Sequence, residues 1–132
     1  MDYLTMAIRK IEGDCNSHAA RVNAAKTLAE VVRAAEVIVK PELRAIRHSI
    51  PGLRRLDSQA QNRIAELTRA RIQAIREAAT VQGARSLRGK LMVECNVLRG
   101  KFPMQYNVAD RESQRAVFEK ERALVSKPED PS

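Results

Sequence analysis

Apolar residues recur at helical spacing along almost the whole chain. Leu4, Ala7, Ile8 and Ile11 form a short stripe that stops at Gly13, and Asp14, Asn16 and Ser17 supply side-chain oxygens able to cap a new helix. From there Leu28, Val32, Ala35, Val39, Leu43, Ile46 and Ile50 step by four and three residues, which predicts one long amphipathic helix over roughly 17–49. Pro41 lies inside it and is expected to kink it, because the ring has no N–H and crowds the carbonyl four residues back. Ile50-Pro51-Gly52 then ends the helix.

Asp57 and Ser58 are the next cap candidates, and Ala60, Ile64, Leu67, Ile72, Ile75 and Ala79 carry a further stripe to Gln82-Gly83. Ala84, Leu87, Leu91, Cys95 and Leu98 extend the period to Gly100. A continuous helix from Ser58 to Arg99 would reach about 60 Å, so a turn is expected at Gly83. Lys101-Phe102-Pro103-Met104 reads as a loop. A last helix is expected from about Val108 to Val125, with Ala109, Ala116, Val117 and Leu124 inward. Residues 127–132 read as a disordered tail or a linker to a missing region. The expected fold is all-α: an antiparallel up-down-up-down four-helix bundle over 17–126, with a short extra N-terminal helix within 1–16.

Composition agrees with one helical domain. The chain has 132 residues, 44% of them hydrophobic, so a packed core is expected. Five Gly and five Pro are too few for the many turns of a β-sandwich or barrel. No apolar run approaches the ~18 residues of a membrane span, and the N-terminus lacks the apolar core and cleavage site of a secretory signal. Cys15 and Cys95 do not make a disulfide framework and fit a reducing compartment, with a single bridge left open.

Charge changes the picture more. The net charge is +8, which favours anionic partners, and it is regional. Residues 44–101 hold 13 Lys and Arg against four acids, while the rest of the chain holds 11 against 12. Within that region one predicted loop, 47–56, carries Arg47, His48, Arg54 and Arg55 with Ile50, Leu53 and Leu56. The other, 99–106, carries Arg99 and Lys101 with Phe102, Met104 and Tyr106, half of the aromatics in the chain. In an up-down-up-down bundle with a turn at Gly83 both loops share one tip. Five fixed cations around Leu53, Phe102 and Met104 have the chemistry of an anionic membrane contact, and arginine forks suit phosphate oxygens. Equally, Ile50, Leu53, Leu56, Phe102 and Tyr106 have the character to fold back over the end of the core.

Nucleic acid is the main competing partner. Arg63, Arg69, Arg71, Arg76, Arg85 and Arg88 put cations along the helices, as a phosphate backbone requires. Yet helix-turn-helix spacing, zinc-finger spacing and a series of aromatics for base stacking are missing, and Glu66 and Glu77 interrupt the stripe. Cys15-x-x-His18 has ligand-like spacing, with His48 and Cys95 as remote candidates, but no second close pair supports a metal site. Cys95 sits on an apolar stripe and reads as a core thiol. Glu119 and Glu121 read as surface residues, and no glycine-rich phosphate cradle is present. Neither a catalytic site nor a cofactor is expected. A helical protein-interaction or chaperone module remains a third class, including a homodimer built on Leu4, Ile8 and Ile11.

With Ile50-Pro51-Gly52-Leu53-Arg54-Arg55 in one segment and Leu98-Arg99-Gly100-Lys101-Phe102 in another, the chain resembles the four-helix-bundle membrane-localisation domains of large bacterial toxins and secreted effectors, and among them the lipid-raft-targeting domains of type III secretion cytotoxins. The resemblance covers about 17–126. It implies a non-catalytic domain that is made in the bacterial cytoplasm, secreted into a host cell, and held peripherally on the inner leaflet of the host plasma membrane. It implies Leu53 as the inserting residue, Phe102 as a second wedge, and Arg54, Arg55, Arg99 and Lys101 as headgroup partners. Its implied lipids are phosphatidylinositol 4,5-bisphosphate or phosphatidylserine. Residues 1–16 would belong to a secretion-competent leader, and the Pro-rich tail would lead into a cytotoxic region.

Overall fold

The structure, a computed structural model, describes residues 2–126, with side chains as far as 124. It is helical, with no strand among the described residues. The chain forms two compact units, Met1–Ile64 and Ala65–Ser132. Helix α3 (Pro51–Glu77) supplies its first half to one and its second half to the other.

The first unit opens with α1 (Tyr3–Ala24). Asp2 caps it, its carboxylate accepting the Thr5 N–H at 2.7 Å, a contact that holds this carboxyl below its ordinary value. The expected stop at Gly13 is not there. A helix interior tolerates one glycine at a cost of about 1 kcal/mol, and Gly13 sits exposed in mid-helix.

The expected long helix over 17–49 is instead three segments. Thr27 caps the short α2 (Leu28–Ala34), accepting the Glu30 N–H at 3.2 Å, while the Glu30 carboxylate turns back to the Lys26 N–H at 3.0 Å. This is a variant of the reciprocal capping box. Residues 35–40 leave the helix, and Val37 and Val39 are buried while Ile38 points out, the alternation of extended backbone. Pro41 then opens a 3-10 helix (Pro41–Ser49) at its first position, where the missing N–H costs nothing. The proline therefore starts a segment rather than kinking one, because the residue before it is pushed out of helical backbone. The burial expected of the stripe nevertheless holds for Leu28, Ala35, Val39, Leu43 and Ile50, with Val32 and Ile46 half-buried.

Helix α3 begins at Pro51, six residues before the expected cap at Asp57. Proline again takes the first helical position, behind Ile50 in extended conformation. Leu53, Leu56, Ala60 and Ile64 form its buried face in this unit. Polar contacts tie the segments together: His18 Nδ1 donates to the Ala34 carbonyl at 2.7 Å, and Arg63 donates through Nε and Nη2 to the Ala25 carbonyl at 3.0 and 2.6 Å.

The second unit holds the rest of α3, then α4 (Val81–Cys95), a 3-10 turn (Asn96–Leu98) and α5 (Pro103–Ser126). A break does separate α3 from α4, but it lies at 78–80. Thr80 caps α4 by accepting the Gly83 N–H at 2.9 Å, which places Gly83 inside the first turn. Helices α4 and α5 run antiparallel: Arg85 meets Glu121, while Arg88 meets Asp110 and Ser113. Between them lie the buried Ala84, Leu91 and Cys95 of α4 and Ala109, Ser113, Ala116 and Val117 of α5. Helix α5 starts at Pro103, five residues before the expected Val108. The expected tail beyond Ser126 lies outside the described residues.

Candidate functional site

The two basic segments singled out by the sequence fall in different units, and neither is an open loop. In the first unit Arg47 and His48 end the 3-10 helix, and Arg54 and Arg55 stand on the first turns of α3. Leu53 directly precedes Arg54 and Arg55 in sequence but faces the core, and only 3% of it is exposed. Ile50 and Leu56 are buried with it. Leu53 is therefore a core residue and not an exposed inserting side chain. The spacing from Leu53 to Leu56, Ala60 and Ile64 is the buried stripe of α3, extended one turn earlier than expected.

The cations around it divide by partner. Glu12 of α1 accepts the Gly52 N–H at 3.0 Å and pairs with Arg55 Nη2 at 3.1 Å. A carboxylate thus already occupies the start of α3, where unpaired N–H groups would otherwise attract an anion. Arg54 remains exposed beside a shallow depression lined by Pro51, Arg55, Ser58 and Gln59. No large exposed apolar side chain accompanies these cations on α3.

The second segment differs. Phe102 is 3% exposed, packed beside the buried Leu98, and its N–H donates to the Leu98 carbonyl at 2.7 Å. It joins the core and is not a wedge, because it closes the turn between α4 and α5. Its neighbours remain outside. The Arg99 guanidinium lies 4.9 Å from the Tyr106 ring centroid, and Lys101 Nζ lies 5.7 Å from that of Phe102. Both cations are exposed, as are Val97, Val108 and, at 74%, Met104. Val93 on α4 is exposed too. The sequence pointed to Met104, but Val93, Val97 and Val108 were missed. Their signal was present: all three fall off the buried stripes of their helices.

The arginine stripe proposed for nucleic acid is largely used internally. Arg71 pairs with Glu94 at 2.6 Å, Arg76 with Glu119 at 3.8 Å, Arg85 with Glu121 at 2.7 Å, and Arg88 with Asp110. Arg63 is spent on the Ala25 carbonyl. The four acids, Glu94, Asp110, Glu119 and Glu121, come from helices other than those of the arginines they pair with.

The cysteines are free thiols, both buried. Burial pushes Cys95 up to about 11, with Glu94 adding to the effect and Arg71 opposing it, and it raises Cys15 as well. A thiol so shifted is protonated at neutral pH and a poor nucleophile. Among the described residues no group of three or more His, Cys, Asp or Glu side chains is arranged to hold a metal ion, and no helix is long and apolar enough to cross a membrane. No protein-family model matches the chain, and no curated protein or solved structure matches it.

Proposed function

We propose that this chain is a non-catalytic membrane-targeting module that binds anionic phospholipid, phosphoinositide or phosphatidylserine, through the turn between α4 and α5. The observation that carries this reading is the exposure of Arg99 and Lys101 in the turn between α4 and α5, with Val97 just before it and Met104 in the first turn of α5 also exposed. Each cation near an anionic leaflet contributes about 1 kcal/mol. Burying an exposed Met104 in the acyl boundary adds roughly 1.5–3 kcal/mol. The expected pairing of cation with apolar wedge is kept, but Met104 replaces Phe102 as the inserting side chain and Leu53 has no part in it.

The secretion route and the host plasma membrane as destination rest on the likeness of segments 50–55 and 98–102 to membrane-localisation domains, and belong to the same proposal. So does the antiparallel four-helix arrangement, with α1, α3, α4 and α5 as its long helices.

The test is co-sedimentation with neutral, phosphatidylserine and phosphoinositide vesicles at physiological salt, with duplex DNA in parallel. Wild type should pellet only with anionic vesicles, and Arg99→Glu/Lys101→Glu or Met104→Asp should lower that affinity by about tenfold or more. Pelleting that ignores both variants, or no pelleting at all, overturns the reading. Retention of DNA instead would turn the assignment to nucleic acid.

A further inference from the structure

Helix α5 carries a second pattern on its outer face. Met104, Val108, Arg111, Arg115, Phe118 and Arg122 step by four, three, four, three and four residues, the spacing of a coiled-coil seam. All six are exposed, with Phe118 at 56%. The opposite side of the same helix holds Ala109, Ser113, Ala116 and Val117, which are buried. The helix is therefore two-sided: one stripe packs inside the unit, and the other runs exposed for about 27 Å.

Its chemistry narrows what covers it. The seam combines three large apolar side chains with three arginines, in the order Met104, Val108, Arg111, Arg115, Phe118, Arg122, and contains no acid. Arg115 reaches Glu112 one turn back on its own helix at 3.9 Å, and the Arg122 guanidinium lies over the Phe118 ring at 5.9 Å. Arg111 makes no ion pair among the described residues. A second copy of the chain would bring arginine against arginine along the seam, a like-charge mismatch that disfavours self-pairing. A helix lying in a bilayer surface keeps its cations beside the apolar face, whereas here they interrupt it. A phosphate backbone would use the arginines and leave Met104, Val108 and Phe118 without partners.

We propose that this seam docks an acidic amphipathic helix of a partner protein, with aliphatic residues against Met104, Val108 and Phe118 and carboxylates against Arg111, Arg115 and Arg122. The match is the groove-filling mode in which apolar anchors give affinity and complementary charge gives the choice of partner. It shares Met104 with the membrane reading, but its arginines, Arg111, Arg115 and Arg122, are distinct from the cations at the turn, Arg99 and Lys101.

The experiment titrates the full chain into a labelled amphipathic peptide of about 25 residues, with Leu at the apolar seam positions and Glu at the others, followed by fluorescence anisotropy. A twin peptide carries Lys in place of Glu. The acidic peptide should bind with a Kd below about 100 µM, and the basic twin about tenfold more weakly or worse. Arg111→Glu/Arg115→Glu, checked for retained helicity, should reverse that preference. Three results would overturn the proposal: no binding of the acidic peptide, equal binding of both peptides, or a preference unchanged in the double variant. A dimer in sedimentation velocity that this variant dissolves would assign the seam to a second copy. Loss of vesicle pelleting in this variant, with Arg99→Glu/Lys101→Glu unaffected, would assign it to the membrane.

Discussion

The Glu12 carboxylate accepts the backbone N–H of Gly52 at 3.0 Å, so the middle of α1 caps the start of α3 across 40 residues of sequence. The contact needs glycine. A Cβ at position 52 would press into that carboxylate and stand 3.2 Å from Cys15 Cβ. It also bonds Arg55 into the same group. This arrangement explains why α3 begins at Pro51-Gly52, a pair that usually ends helices.

Removing the carboxylate should therefore cost more than removing its exposed ion-pair partner. Glu12→Ala leaves the part-buried Gly52 N–H without its acceptor and should lower unfolding free energy by about 1–2 kcal/mol. Arg55→Ala should cost no more than about 0.5 kcal/mol, because its side chain is largely solvated. Denaturant midpoints of the two variants decide it. Equal losses would show that the ion pair, and not the cap, carries the contact.

Leu53→Asn is expected to destabilise the protein. Its side chain is buried, so the change removes core packing and buries an amide, for a loss of about 2–5 kcal/mol. Thermal melting would register this as a drop of many degrees. A melting temperature close to wild type would mean that Leu53 is exposed in solution, as an inserting residue would be.

Thr80→Ala should cost about 1 kcal/mol by deleting the α4 cap. Restoration by Thr80→Ser or Thr80→Asp, read as helicity by circular dichroism and as the denaturation midpoint, separates capping from packing. Failure of both to restore stability would refute the capping role.

Cys95 makes stability depend on alkaline pH. The unfolded thiol ionises near its ordinary value of 9.0, while the folded one holds its proton to about 11. Its contribution is therefore intact below pH 9 and is lost as pH rises from about 9 through 11. Wild type should lose stability over that window relative to Cys95→Ala, whose other titrating groups are the same. Parallel melting curves for the two proteins would rule the effect out. Cys95 should also react slowly with a thiol reagent at pH 7 unless denaturant is added.

Apolar spacing alone determined that the chain is helical and, for the most part, which side chains are buried. Leu28, Ala35, Val39, Leu43 and Ile50 are buried as expected even though the single helix meant to carry them is three segments. A step of three or four residues describes an inward-facing position, and a capped break or a 3-10 turn with buried anchors satisfies it as well as a continuous helix does. The expected caps Asp14, Asn16, Ser17, Asp57 and Ser58 lie inside α1 and α3, while Asp2, Thr27 and Thr80 cap helices. The prolines mark real boundaries but with the opposite polarity. Pro41, Pro51 and Pro103 each begin a helical segment, because a proline excludes helix before itself while fitting the first turn after itself. Only tertiary packing decided which residues of the basic segments face out. Leu53 and Phe102 look alike with Met104 in sequence, yet two close the core and one stands in solvent, since exposure depends on what other helices cover. The same reason governs the arginines. Their positive charge was plain from composition, but Glu94, Asp110, Glu119 and Glu121 approach them only once distant segments are brought together.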